Sequence, residues 1–386
     1  MELNHGKINK FADESCSIML RSLASIPPDH PSLFGEHLVV KPEPLVIEED
    51  ATILPRWFNI NETKDWSLRF SQGIFNSNGD HIKALSDQRG DRKLFFPTPR
   101  LEDAKGYEPE KIKSLKFMLY GGTLYEHFGD MLVDTCRAYQ LLRLYRYCKE
   151  PIWFHYAAPR SAREFRTPSI EAWLNCLGLA NRFRLIRRPM QARRLVSCPQ
   201  IYRDLKWISS DYAPAARASL HPKLRRQLER IERNGKRIAY LSRHKLNNGT
   251  SKFIQEAQLV EQLRSIPEVD IICPEELSFE EKLSLWRSHA YIVGFPQGCL
   301  MLKPFVPQQQ PDQIARQIFL LAGPKCLPSN WLSIDKVCKF NDLYLDCHGP
   351  DENTPNIEIE DKFTRANSID INVIVSALAE LAASLR

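Results

Sequence analysis

Between residues 236 and 294 short apolar segments alternate with longer amphipathic ones, in the order KRIAYLS, KFIQEAQLVEQLRS, EVDIICP, SFEEKLSLWRSH and AYIVG. A strand flanked on both sides by helices is reached by a crossover, not by a tight hairpin, so successive strands lie parallel with helices on the faces of their sheet. The strand segments support this, because they are almost continuously apolar, as strands buried on both faces must be. This one pattern restricts the second half of the chain to an α/β fold.

The first half repeats the theme less regularly. SLKFMLY (114–120) reads as a strand, GGTLYE as a loop and HFGDMLVDTCRAYQLLRLYRYC as one helix. EPIWFHYA then reads as a strand, SIEAWLNCLGLA as a helix ending near Gly178, and RFRLIRR and ARRLVSCPQIY as strands. The expected organisation is therefore an irregular, Pro-rich N-terminal extension over 1–50 laid over a domain, and a first α/β domain over 51–213. A basic connecting helix at 214–235 leads to a second α/β domain over 236–365. The turn signals NSNGDH and QRGDRK place a few β-hairpins early in the first domain. An amphipathic helix over 366–386 is expected to pack back across the cleft between the domains.

With 386 residues the chain can bury two cores of ordinary size. Its net charge of +6 suits an anionic ligand or surface but is weak for nucleic acid, and no nucleic-acid reading motif is present. Ten cysteines are scattered with no C-x-x-C pair, mostly in apolar runs such as WLNCLGL and VDIICPE. Zinc sites and disulfide frameworks need clustered spacing, so buried reduced thiols in a cytoplasmic protein are expected. The opening MELNHGKINKFADES has no apolar core of a signal peptide, and no run approaches the ~18 apolar residues of a membrane span.

Parallel α/β proteins bind ligands where a strand hands over to a helix, because helix N-termini offer unpaired N–H groups and a positive dipole end. The SRHK loop after AYL occupies such a junction. Arg243 can supply charge to an anion there and Ser242 a hydrogen bond. Gln255 and Glu256 open the next helix; Glu256 either complements the helix dipole or organises the loop. In the GFPQGC turn, Gly294 and Gly298 allow close backbone approach to a ligand, with Pro296, Gln297 and Cys299 completing the turn. Glycines after a strand serve equally well as simple turn formers. His127 and Asp130, three residues apart, and Asp134 four further on share one side of a helix. Dipole complementarity alone would also place acids there, but it disfavours a charged His127 and so keeps the imidazole neutral, as a base must be.

GGTLYEHFGDMLVD, YLSR followed by FIQEAQLVEQL, EELSFEEKLSLWRSHAYIVG and GFPQGCLMLKPF fall in the order of the motifs of glycosyltransferase family 61. Over about residues 114–306 the chain resembles that family, and its bacterial capsular and exopolysaccharide members most closely. The resemblance implies a GT-B-like architecture, two Rossmann-like domains facing across a cleft. It also implies inverting sugar transfer from a nucleotide-sugar donor, probed first as a UDP-sugar, to a glycan or lipid-linked glycan acceptor. His127 or Asp130 would be the general base, with the other orienting it. The chain departs from the family where an Asn-Glu pair is usual, having Gln255 before Glu256, and where a His-Gly-Ala element is usual, having Gln297, Gly298 and Cys299. A family histidine's role is therefore not carried over to Gln297.

A departing diphosphate must be neutralised, either by a metal held on an Asp-x-Asp motif or by helix N-termini and basic side chains. The sequence has no Asp-x-Asp, so the second route is expected, with no metal and no cofactor beyond the co-substrate. The basic stretches RAYQLLRLYRYCKEP and LHPKLRRQLER read either as solvated helix faces or as a peripheral contact with anionic membrane. Two other readings share the architecture: a binding or scaffold protein without catalysis, and transfer of another group such as pyruvyl or phosphoryl.

Overall fold

The computed structural model describes residues 20–55, 57–58, 70–71, 73–86, 100–103, 112–124, 128–156, 168–232, 235–246, 251–308, 313–349 and 366–386. They form a mixed α/β structure built on two main sheets.

The second sheet has six strands in the spatial order Arg21–Ser22, Leu343–Asp346, Arg316–Leu321, Tyr291–Gly294, Ile238–Leu241, Val269–Ile272. Every pairing is parallel except that of the edge pair Arg21–Ser22. The alternation read from residues 236–294 is thus the strand and helix order found. Alternate residues divide the two faces: Ile238 and Tyr240 join one apolar core, Ala239 and Leu241 the other. From Ile238–Leu241 the chain moves outward to Val269–Ile272, then returns on the opposite side to Tyr291–Gly294. A reversal of this kind is where open α/β sheets place a ligand crevice, here outside the carboxyl ends of Ile238–Leu241 and Tyr291–Gly294. Helix Phe279–Ser288 starts at a capping box, with the Glu281 N–H donating to Ser278 Oγ and the Ser278 N–H to the Glu281 carboxylate.

The first sheet runs Phe183–Leu185, Ile152–Tyr156, Met118–Leu124, Met190–Ser197, Val46–Ile53, Ile74–Phe75, with Lys113–Leu115 also paired to Met190–Ser197. The first four strands are parallel; Val46–Ile53 and Ile74–Phe75 are antiparallel additions. Here too the chain reverses, leaving Met118–Leu124 for one side and returning on the other as Met190–Ser197.

Three local expectations change. GGTLYE does not begin a loop, because Gly121 and Gly122 lie inside strand Met118–Leu124. A Cβ on Gly121 would stand 2.4 Å from a ring carbon of Phe154, and Gly122, at φ +95°, is covered by Arg137. The buried Arg137 guanidinium donates to the carbonyls of Cys198 (2.5 Å), Ala84 (3.1 Å) and Ser86 (3.2 Å). These glycines admit their neighbours instead of turning the chain. The single helix expected from residue 127 is two, Phe128–Asp134 and Cys136–Tyr145, parted at Thr135. The Thr135 hydroxyl donates to the Met131 carbonyl and meets Tyr139 Oη at 2.9 Å, a back-bonding that bends helices. The connector likewise divides into Tyr212–Ser219 and Pro222–Glu229, since a residue before proline avoids the helical region and His221 caps the second piece.

The chain ends also differ from expectation. Arg21–Ser22 pairs with the second sheet, Leu33–Phe34 with Leu327–Pro328, Leu38–Val40 with Trp207–Ser209, and Val46–Ile53 with the first sheet. The extension therefore ties both sheets together instead of covering one domain. The C-terminal helix Ile371–Ser384 does not cross back over a cleft. Its stripe of Ile374, Ala377, Leu378 and Leu381 packs with Leu259, Leu263, Val293 and Leu320 on the outer face of the second sheet, which would otherwise be an exposed apolar surface. The opposite face belongs to a core continuous with the first sheet, where Phe154, Trp173 and Tyr139 meet Phe305, Phe279 and Leu300.

Candidate functional site

At the carboxyl end of Ile238–Leu241 the chain turns through Ser242, Arg243 and His244, and a single carboxylate holds the turn. Glu256 Oε1 accepts hydrogen bonds from the Arg243 main-chain N–H (2.7 Å), the Tyr240 hydroxyl (3.0 Å) and the Ser242 hydroxyl (3.2 Å). Glu256 is only 2% exposed. Burial pushes its carboxyl above the usual range, opposed by these hydrogen bonds and by the Arg243 charge. Ser242 is itself buried and shares its Oγ with His244 Nδ1 at 2.6 Å. Of the two uses read for Glu256, organising the loop is the one its contacts display.

The loop's guanidinium is underused. One terminal N–H of Arg243 donates to the Ser251 carbonyl (3.3 Å), while its buried Nε has no partner among the described residues. Burial lowers the Arg243 pKa and Glu256 offsets part of that shift. A partly desolvated guanidinium with open donors is suited to an anion.

The other wall of the crevice is the turn after Tyr291–Gly294. Gln297 Nε2 donates to the Leu241 carbonyl (3.0 Å), joining the two strand ends directly. A Cβ on Gly294 would lie 3.2 Å from Leu241 Cβ and 3.3 Å from its carbonyl oxygen, so glycine is what allows this approach. Phe295 turns inward and stacks on Phe253 at 3.6 Å, with Pro296 half-buried beyond it. Cys299 is buried and its thiol is pushed up to about 12, which keeps it protonated and unreactive.

Gly298 connects this wall to the first sheet. A Cβ there would come within 2.8 Å of Phe128 Cδ1, so the turn rests directly on helix Phe128–Asp134. Phe128 stacks on Phe279 at 5.3 Å, and the Lys282 ammonium lies 5.3 and 5.2 Å from the two ring centroids. Burial lowers the Lys282 pKa. The carboxyl edges of both sheets thus meet at Phe128, Gly298 and Lys282.

His127 lies outside the described residues. Asp130 belongs to helix Phe128–Asp134 but its side chain lies outside them too, so the choice of base stays as the sequence left it. Gln255 does not join the loop: its amide donates to Ser368 Oγ (3.3 Å) and accepts from the Ile369 N–H (3.2 Å), fastening the segment before the C-terminal helix. Lys245 is exposed and pairs with Glu276 at 2.7 Å. Sequence reasoning missed Lys282 and Tyr240. Lys282 did leave a signal, since a lysine in a helix's first turn opposes the dipole that favours acids there. Among the described residues no group of three His, Cys, Asp or Glu side chains is placed to hold a metal ion.

Residues 128–309, which include the loop, the turn and the helix under Gly298, match the family model described as Glycosyltransferase 61. The chain is a glycosyltransferase. No curated protein matches it. The enzyme class requires a sugar donor and an acceptor, and the glycosyltransferase region takes in strand ends from both sheets, Ile152–Tyr156 and Met190–Ser197 in the first and Ile238–Leu241 and Tyr291–Gly294 in the second. No helix among the described residues is long and apolar enough to cross a membrane.

Proposed function

We propose that this glycosyltransferase moves a sugar from a nucleotide-sugar donor, a UDP-sugar first, to a glycan or lipid-linked glycan acceptor of surface polysaccharide, with inversion and without a metal. The observation that supports the donor site most is the Arg243 loop, fixed by buried Glu256 at the reversal point of the second sheet. The acceptor hydroxyl gives its proton to His127 or Asp130 as its oxygen bonds to the anomeric carbon. The bond from that carbon to the diphosphate breaks on the opposite face, and the nucleoside diphosphate leaves with the electron pair. Arg243 meets the developing charge, while Ser242 and the backbone at Gly294 and Gly298 shape the nucleotide's seat.

This reading takes the two sheets as a GT-B-like pair, with the acceptor side in residues 51–213 and the donor side in 236–365. It also places the enzyme in the cytoplasm. A peripheral contact with anionic lipid would use exposed Leu144 and Tyr147 at the end of helix Cys136–Tyr145, since Arg137 of that helix is buried and Arg143 pairs with Asp211. Donor hydrolysis tests the reaction without knowledge of the acceptor. Incubating the protein with UDP-sugars releases UDP at the same rate with and without EDTA, and proton NMR of the first sugar released shows the inverted anomer. Release that EDTA stops, or a retained anomer, contradicts the corresponding part of the proposal.

A further inference from the structure

We propose that Lys282 is a second cation of the donor site, binding the diphosphate of the nucleotide sugar from the side opposite Arg243. The inference rests on the nucleotide-sugar reading above and adds a residue that neither the sequence motifs nor the loop itself would nominate.

Lys282 has three features that the fold alone leaves unexplained. Its ammonium is half-buried, yet among the described residues it makes no hydrogen bond and no ion pair; its neighbours are the faces of Phe128 and Phe279. An ammonium partly shielded from water without protein acceptors is disfavoured, and two aromatic faces at more than 5 Å compensate only in part. Its position in the first turn of helix Phe279–Ser288 sets the charge against the helix dipole. The carboxylate next to it, Glu281, is taken by the Ser278 cap.

Its location supplies the reason. Phe128, under the charge, is the residue that Gly298 touches, so Lys282 stands where the turn of the second sheet meets the first helix after Met118–Leu124. Burial is the main influence on both Lys282 and Arg243, and the exposed carboxylate Glu275 acts electrostatically on each. Two basic side chains with open donors therefore approach one crevice from separate strand ends, Arg243 after Ile238–Leu241 and Lys282 after Val269–Ile272. A diphosphate is the part of the donor with charge enough to engage both, and an ammonium suits it as a movable point charge beside the planar fork of arginine. The Phe128–Phe279 stack holds the lysine stem and keeps water from one side of the ammonium.

Isothermal titration of the full chain with UDP, GDP, CDP and TDP tests this on wild type, Lys282→Gln and Lys282→Arg. The nucleotide that binds wild type is expected to bind Lys282→Gln roughly tenfold or more weakly, and Lys282→Arg is expected to regain most of the loss. The ligand-free melting temperature of Lys282→Gln stays level or rises, because an unpaired charge has been removed; a merely structural lysine would lower it. If a nucleotide binds wild type and Lys282→Gln alike, within about twofold, the role of Lys282 is wrong and the nucleotide-sugar reading stands. If none of the four binds wild type, both fall together.

Discussion

Arg243→Ala lowers kcat/KM for the nucleotide sugar by about 10²-fold or more and removes the stabilisation that the nucleotide gives the wild type. The magnitude is that of deleting one charge-donating group aimed at a departing oxyanion, about 2.7–4 kcal/mol. The variant is a usable test because the loop's main-chain anchor survives it, although buried Glu256 loses the favourable Arg243 charge. Glu256 holds Arg243 by its main-chain N–H, which alanine keeps, and the guanidinium's one described partner is the Ser251 carbonyl. Ligand-free stability should therefore change by no more than about 1 kcal/mol. Arg243→Lys retains charge but loses the fork and should fall between the two. Steady-state kinetics beside a thermal melt separate the outcomes: an activity loss matched by collapse of the ligand-free melt would indicate a structural role instead.

The largest effect on stability is expected far from the crevice. Lys303 and Asp342 form an ion pair whose side chains are 1% and 2% exposed. Asp342 also accepts from the Gln317 main-chain N–H (2.9 Å) and its side-chain amide (3.0 Å), and its own N–H donates to Asp335 Oδ1 (2.8 Å). Asp342→Ala leaves a buried ammonium without its partner and should cost about 3–5 kcal/mol in urea unfolding. A loss under ~1 kcal/mol would show that Lys303 escapes to another acceptor or gives up its proton. The same cluster sets a pH dependence. Burial first, and then the Asp342 charge, raise Asp335 to about 7. For a carboxyl raised in the folded state the stability contribution is fully present below the ordinary value near ~4 and is lost as pH rises through about 7. Wild-type stability should therefore decline across that window, and less steeply in Asp342→Asn, where the repelling charge is gone.

Three strands of the second sheet, through Tyr291–Gly294, were legible because each is declared locally, whereas Arg316–Leu321, Leu343–Asp346 and the edge pair Arg21–Ser22 were not read. Apolar runs such as IAYL and YIVG declare strands buried on both faces, and SFEE announces a capped helix. The junction loop was legible for the same reason, since strand, basic turn and helix are consecutive. The errors share the opposite cause. Gly121 and Gly122 look like a turn until Phe154 and Arg137 are seen against them, and no local pattern names those partners. The extension reads as irregular because its strands find partners such as Leu343–Asp346, some three hundred residues away in the sequence. Lys282 stands out in sequence only as a charge set against its helix dipole, and what it lies on appears only when Phe128 is seen beneath it. Gln255 beside Glu256 looked like half of a functional pair, yet one faces the loop and the other the C-terminal segment, a division set by the helix's rotation and not by adjacency.

The most direct test of a metal-independent nucleotide-sugar site at the second sheet's reversal point is a thermal melt of the purified chain against UDP, GDP, CDP, CMP and TDP, each with and without EDTA. A ligand that binds only the folded state at about 100 times its Kd stabilises by ~2.7 kcal/mol, a shift well within reach of the measurement. One nucleotide is expected to raise the melting temperature equally in both conditions, and to lose its effect in Arg243→Ala. A shift that disappears with EDTA, or no shift with any of the five, would contradict the account.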